Sequence, residues 1–433
     1  MRVKEFLLNL QKGMAEGRVS VRDALQMAHR LLSNEGIPCN DIYESIDMLE
    51  NLVNPETKEH VNKSSIHEIP ESVIRHRRQT AIRDSASNII RIACGNNRNI
   101  NYHQSLKYWS GKRVTVFYDP VMVGFASSEE LPLLGWGSVH TASKIAKYCY
   151  LETNNNILNY KRTAIILTRH SSKYAHFIRD RLTKIIWAQY ISNMGPFDDY
   201  IFDYPLTEKE LKCLHDLGVK ANFHYANQLG RIFTLECEFI IVIEVSSGLN
   251  LLPLLKDYMM KKVINPIERS KVYLSRGQQG SRRDACNAIQ VEETVTKLGY
   301  TVLELSDLSY IEQLNYCAGA GICTGIHGAQ LINSILGCSL IEIHSFPYCT
   351  SPWSETMLKM SRVLDIPYVP ILLTSTDKHS SITNCENSKI KDIYKARKLS
   401  KNNPETSQTS EFSINIENLT LSINIAESLA KKL

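Results

Sequence analysis

The sequence has little of what marks a membrane, secreted or metal-held protein. Nowhere in the 433 residues do eighteen uncharged apolar residues run together, so no segment has the form of a transmembrane helix. The opening stretch MRVKEFLLNLQKGMAEGRVS breaks its apolar run with charges too early for a signal peptide. Eleven cysteines are present, yet none falls in a Cys-x-x-Cys pair or a Cys/His array. That excludes a zinc ribbon and leaves no disulfide framework, so the cysteines read as reduced, mostly buried thiols. The expectation is a cytoplasmic protein in which the sequons at Asn62 and Asn418 are chance matches.

Charge of one sign is lacking too. Lys and Arg number 50 against 45 Asp and Glu, without a long single-sign run, which is not the concentrated basic footprint of a nucleic-acid binder. The one basic knot, Arg75 to Arg78 with His76, reads either as a solvated helix face or as a docking point for anionic lipid or a polyanionic substrate. Peripheral contact with the inner face of a membrane is the corresponding expectation. Also missing is Gly-x-Gly-x-x-Gly with an acid about twenty residues later, which argues against a dinucleotide-dependent oxidoreductase.

What is present is the grammar of a two-part α/β protein. Helical spacing dominates the start, with Ser20 placed to cap a helix carrying Leu25, Ala28, Leu31 and Leu32, and a second pattern over 42–52. A polar linker is expected over 56–70 and another helix over 73–93. From about residue 112, β-rich runs at 113–118, 164–168, 200–202 and 239–245 alternate with helix-length segments. A clearer alternation follows, with strands at 271–275, 300–305, 322–324 and 339–344 separated by helices at 288–298, 309–318 and 328–336, then a helix at 355–364. Strands joined by single helices imply right-handed crossovers and a parallel sheet. Residues 375–411 are polar and read as a linker, and 413–433 as a helix that docks back.

An open parallel sheet binds its ligand beyond the carboxyl ends of its strands. There the sequence places SRGQQGSRR at 275–283, whose guanidinium groups, Arg276 and Arg283 among them, suit a pyrophosphate. A solvated surface turn is the alternative for this loop. After the third strand comes TGIHGAQLIN at 324–333, where Gly325 and Gly328 flank a strand-to-helix turn. Free N–H groups and a positive helix end would face an anion there, with small Ala329 allowing close approach and His327 at the mouth. Glu342, ending the fourth strand, reads either as an acceptor for ribose hydroxyls or as a buried carboxylate paired with Arg. In the first half, a helix projection at 100° per residue groups His176, Asp180, Thr183 and Trp187 opposite Ile178, Leu182 and Ile185. This places a polar face on solvent or a cleft, with Trp187 offering a ring on which a sugar could stack.

Together these segments resemble glycosyltransferase family 61. The resemblance rests on YLSRG and SRRDACN, on LSYIEQLNYCAGAGICTGIHGAQLIN, on LIEI, and on KYAHFIRD in the first half. The family positions fall on Arg276, Arg283, Asn287, Glu312-Gln313, His327-Gly328-Ala329 and Asn333, and the likeness extends over roughly 160–370. Ala288 stands where the family usually has Glu, and the Pro that often follows its first-half carboxylate is missing after Asp180. The resemblance implies a GT-B type fold of two Rossmann-like domains facing a cleft, here with a helical N-terminal extension. The expected divisions are 1–110 for that extension, 111–262 for an acceptor domain, 263–374 for a donor domain, and 375–433 for a linker and terminal helix. It also implies an inverting transfer from a nucleotide-sugar, with UDP expected as carrier, to a glycan or lipid-linked glycan in surface polysaccharide biosynthesis. Asp180 is then the expected base with His176 as orienting partner or substitute base. Arg276, Arg283, Asn287, His327, Gly328, Ala329, Asn333 and Glu342 are the expected nucleotide-sugar ligands. No Asp-x-Asp occurs in the chain, so no metal and no cofactor are expected, and arginines would neutralise the diphosphate. The competing reading is a non-catalytic carbohydrate-binding protein that keeps this fold.

Overall fold

A computed structural model describes residues 2–15, 18–34, 66–68, 107–120, 122–127, 142, 145–146, 157–168, 174–243, 248–276, 285, 287–337, 339–345, 355–364, 366–373 and 413–431. Arg75 to Arg78, Arg283, the expected helices at 42–52 and 73–93 and the expected linker at 375–411 lie outside them. No helix among the described residues is long and apolar enough to cross a membrane.

The strands form two sheets that fall on either side of the expected boundary at 262/263. The first holds β1 (Ile66–Glu68), β2 (Lys107–Asp119), β3 (Met122–Ala126), β4 (Ile157–Ile166), β5 (Asp199–Phe202), β6 (Asn222–Tyr225) and β7 (Ile232–Ile243). Its order is β1-β2-β7-β4-β5-β6, with β3 on β2. Strands β7, β4, β5 and β6 pair in parallel, as crossover connections require. Strands β1, β2 and β3 add an antiparallel margin, with β2 along β7. β1 thus occupies part of the segment read as a linker, and β2 begins inside the segment read as helical. Helices α1 (Arg2–Ala15) and α2 (Val21–Asn34) do form, and Ser20 caps α2 by accepting from the Asp23 N–H at 3.1 Å. Their apolar sides, including Leu10, Leu25 and Leu32, pack with Phe117, Met122 and Ala126 of β2 and β3.

The second sheet is wholly parallel: β8 (Arg269–Ser275), β9 (Thr301–Glu304), β10 (Ala320–Ile326), β11 (Leu340–Ser345) and β12 (Tyr368–Leu373), in the order β12-β11-β10-β8-β9. In chain order this is 2-1-3-4-5 read from the β9 edge, a doubly wound sheet whose direction reverses between β8 and β10. Sequence reading missed β12, a short apolar run that follows a helix directly.

The helices of the second half are α4 (Glu208–Asp216), α5 (Leu252–Met260), α6 (Ala288–Lys297), α7 (Tyr310–Ala318), α8 (Glu355–Leu364) and α9 (Ile416–Ala430), taking α3 as the continuous helix over 174–191. α9 docks back as expected, and Leu419, Ile423 and Ala426 join Val291, Val295, Ile341 and Ile343 on one face of the second sheet. The largest apolar cluster draws on both sheets: Ile166, Phe202 and Ile243 from the first, Val272, Leu274 and Leu340 from the second, and Phe177, Ile178, Leu182, Ile185 and Trp187 of α3 between them.

α3 overturns the amphipathic projection. Its turns over Phe177–Leu182 and Trp187–Ile191 are π-helical, so a wheel at 100° per residue misplaces its side chains. Asp180, Thr183 and Trp187 are all buried, and Trp187, only 4% exposed, tilts against Tyr108 at 5.4 Å between ring centroids. Trp187 belongs to the core and offers no surface for a sugar. Replacing Trp187 with Ala should therefore lower stability by about 3–5 kcal/mol in denaturant unfolding. A loss of activity with unchanged stability would restore the cleft reading.

Candidate functional site

Strand alternation decides which side chains meet at the second sheet. Val272 and Leu274 of β8, Cys323 of β10, Leu340 of β11 and Tyr368 of β12 all enter the apolar layer between the sheets, whereas Tyr273, Ile322, Ile341 and Val369 enter the opposite one. With a period of two, Arg276, His327 and Glu342 fall on the same face as the first set. Arg276 follows β8 and His327 follows β10, which are neighbours, so both stand at the point where strand order reverses. A guanidinium N–H of Arg276 donates to the His327 carbonyl at 3.3 Å and spans that point.

The glycines here serve close approach. A Cβ on Gly325 would come within 2.9 Å of both the Leu274 carbonyl and Leu331 Cδ2. One on Gly328 would collide with the Gln330 side chain and come within 3.3 Å of the Arg276 guanidinium carbon. Gly328 therefore leaves the guanidinium its place over the turn. The helix that follows, Ala329–Leu336, is a 3-10 helix rather than the expected α-helix, and Ala329 is exposed at its start. His327 Nδ1 is hydrogen-bonded to Glu342 Oε1, and the Tyr368 hydroxyl donates to Glu342 Oε2. Glu342 is completely buried, which agrees with the second of its two sequence readings, and its partners among the described residues are His327 and Tyr368. It is not exposed to a ribose.

The start of α3 lies against the 3-10 helix and ties the two halves. The Tyr174 hydroxyl lies 3.0 Å from Asn333 Oδ1 and 3.2 Å from Gln313 Oε1. Gln313 in turn donates to the carbonyls of Leu305 and Leu308, at 2.8 and 3.1 Å. Glu312, its neighbour in the family motif, closes a capping box with Ser309 at the start of α7. Asn333 is buried with its carbonyl oxygen committed to Tyr174, which makes it a tie between elements instead of the expected nucleotide ligand.

One turn further along α3, Asp180 is surrounded by donors. Its Oδ1 accepts from Arg179 Nε at 2.8 Å and from the Gly248 N–H at 3.1 Å. Its Oδ2 accepts from Arg179 Nη2 at 2.6 Å and faces His176 Nδ1 at 2.9 Å. Burial opposes ionisation, but the hydrogen bonds from His176 and Arg179 and the charges of Arg179 and Lys184 outweigh it. They hold the carboxyl well below the usual carboxylate range. His176 Nδ1 also lies 2.7 Å from Arg179 Nη2, and one nitrogen cannot serve both neighbours. It either donates to Asp180 or accepts from Arg179, and only the first tautomer leaves Nε2 basic.

Asn287, placed among the ligands by the family resemblance, has other partners in the structure. Its amide donates to the Ile414 carbonyl at 2.8 Å and accepts from the Ile414 N–H at 2.9 Å, pinning the segment that leads into α9. Arg276, His327, Gly328 and Ala329 are thus together at the switch point, and His176 and Asp180 are together at the start of α3. Sequence reading assigned no role to Arg179, Tyr174 or Tyr368. Arg179 and Tyr174 stood inside the KYAHFIRD segment, whereas Tyr368 carried no signal because its strand was not recognised.

Asp180 yields a pH test. A carboxyl whose folded pKa lies below its unfolded value of about 4 adds stability above that value and loses it as pH falls toward the folded one. Asp180→Asn should cost about 1–3 kcal/mol near neutral pH, and the gap from wild type should narrow progressively below about pH 4. A gap constant from pH 7 to pH 2 in denaturant titrations would contradict the ionised clamp.

Among curated proteins, none matches the chain. Its residues 174–339, from the tyrosine that ties the two halves to the end of the 3-10 turn, do match the family model described as Glycosyltransferase 61. That span contains the whole of α3, the arginine loop and the His-Gly-Ala turn, so the residues that carry the geometry are the residues that carry the family. The chain bears a glycosyltransferase family 61 domain and is a glycosyltransferase.

Proposed function

We propose that this glycosyltransferase moves a sugar from a nucleotide-sugar, with UDP as the carrier, to a glycan or lipid-linked glycan acceptor, inverting the anomeric centre without a metal ion. The observation that carries the reading is the placement of Arg276 across the β8/β10 switch point, against the His327–Gly328 turn. A doubly wound sheet leaves its crevice there, and a guanidinium beside backbone N–H groups suits a diphosphate. The Arg282-Arg283 pair of the same loop would add charge from the loop's far end.

In the proposed reaction the acceptor oxygen bonds to the anomeric carbon from the face opposite the diphosphate. The bond from that carbon to the phosphate oxygen breaks, and the electron pair leaves with the nucleoside diphosphate. The acceptor proton passes to a base at the start of α3. Asp180 was the first choice from sequence, but a carboxylate surrounded by donors and held far below the usual range takes up a proton poorly. His176 is the better assignment, with Asp180 holding its Nδ1–H so that Nε2 receives the proton. The guanidinium groups and the turn stabilise the departing charge, the part a divalent cation plays where an Asp-x-Asp is present.

Two Rossmann-like halves in the GT-B manner are supported by two sheets with parallel strands, one on each side of 262/263. We read the enzyme as cytoplasmic, peripheral to the membrane and serving surface polysaccharide assembly; for the compartment alone, the buried free thiols Cys213, Cys237, Cys317 and Cys323 fit a reducing environment.

Two tests follow. Arg276→Ala and Arg283→Ala should each weaken nucleoside diphosphate binding about ten- to a hundredfold by calorimetry, the loss of charge-assisted hydrogen bonds. Wild-type affinity in both would remove the loop from the site. Transfer should also persist in excess EDTA. Abolition by EDTA with recovery on adding manganese or magnesium would contradict guanidinium neutralisation of the diphosphate.

A further inference from the structure

Tyr368 lies beyond the matched span, on the strand that sequence reading missed, and has no place in the reaction as proposed. Its surroundings are nonetheless specific. On the face turned to the layer between the sheets, three strands in a row contribute one polar side chain each: His327 following β10, Glu342 on β11 and Tyr368 on β12. All three are at least nine-tenths buried, among Leu331, Leu340 and Leu358. Burying a carboxylate costs several kcal/mol unless donors meet its oxygens. Glu342 has one on each: Tyr368 on Oε2 and His327 on Oε1.

We propose that Tyr368 is a positioning residue for the donor site, acting through Glu342 to hold the His327 ring in one orientation at the switch point. The phenol can only donate to a carboxylate and so favours the ionised form of Glu342. An ionised Glu342 accepts from Nδ1–H of His327, fixing which way the ring faces, and a facing carboxylate favours the imidazolium form, in which Nε2–H can donate to a diphosphate. A carboxylate behind an imidazole fixes ring direction and tautomer in this way at many sites where the outer nitrogen meets a ligand. Tyr368 is thus two hydrogen bonds from His327 and does not touch the diphosphate. The inference rests on the reading of the His327 turn as the diphosphate site.

A double-mutant cycle in the full-length protein tests it, with UDP as probe in calorimetry and the downfield imidazole N–H region of the proton NMR spectrum as a second readout. Tyr368→Phe, which keeps the ring and removes the hydroxyl, should weaken UDP binding about five- to tenfold and shift or broaden the His327 signal. That signal is identified by its loss in His327→Gln. Added to His327→Gln, the Tyr368→Phe change should have no further effect, because a group acting through another has nothing left to act on. Additive losses in the cycle, or an unmoved imidazole signal in Tyr368→Phe, would overturn the proposal. If His327→Gln binds UDP like wild type, the diphosphate reading of the turn fails with it, while the imidazole signal still decides whether Tyr368 sets the ring. Should Tyr368→Phe fold poorly, Glu342→Gln replaces it in the same cycle, with the same two outcomes.

Discussion

A helix buried on nearly every side between two sheets must satisfy each polar group it carries within the protein, and α3 is such a helix. From Phe177 to Ala188 all but one of its residues are buried, Arg179 being the exception. Asp180 meets this requirement through Arg179, His176 and the Gly248 N–H, and Thr183 through the Arg179 carbonyl. Arg181 meets it in part: Nη2 donates to Asp203 and to the Tyr204 carbonyl, and the guanidinium lies 5.3 Å from the centre of the Phe202 ring, while Nε has no partner among the described residues. Without these partners the charges would cost more than the packing of Phe177, Ile178 and Leu182 returns. The π turns are part of the same arrangement, because they decide which side chains reach which partner.

That constraint also organises the site. Tyr174 opens α3 and binds Gln313 of α7 and Asn333 of the 3-10 helix, so the start of α3 is fixed against the element that begins at the His-Gly-Ala turn. His176 lies two residues beyond Tyr174, and Gly328 five residues before Asn333. The group assigned to the acceptor proton and the group assigned to the leaving diphosphate are therefore held by the two ends of one hydrogen-bonded tie. Displacement by an ångström at either end weakens both functions, since positioning is where much of the catalytic effect of such sites resides.

The second sheet was the legible part of the sequence. Its strands are short apolar runs, its helices carry recognisable caps such as Ser309 with Glu312, and its turns hold glycine. Arg276 and His327 could be placed at the carboxyl ends of strands on those signals alone, although their being on adjacent strands required the order of the sheet. Three things were not legible. A wheel drawn at 100° per residue cannot foresee π turns, which is why Trp187 and Asp180 were placed on a surface instead of in a core. Asn287 and Asn333 look like ligands in a motif, but an amide that donates and accepts at once is equally suited to tying backbone segments, and only the Ile414 and Tyr174 contacts distinguish the two. β12 reads as an apolar tail to α8, so Tyr368 went unnoticed along with it.

On the proposed reading, the arrangement of charge accounts for a site that needs no acidic metal ligands. Two acidic groups near the site already have partners: Asp180, inside the matched span, in Arg179, and Glu342, beyond it, in His327 and Tyr368. A carboxylate held this way repels an incoming diphosphate less than an unpaired one would. Arg276 is oriented differently, by a backbone carbonyl, an acceptor without net charge. That hydrogen bond helps to set the direction of a side chain that stays charged at any ordinary pH. Meeting the buried carboxylates with donors and placing a guanidinium across the strand-order reversal both favour an anion there, which is where the sheet leaves room for a ligand.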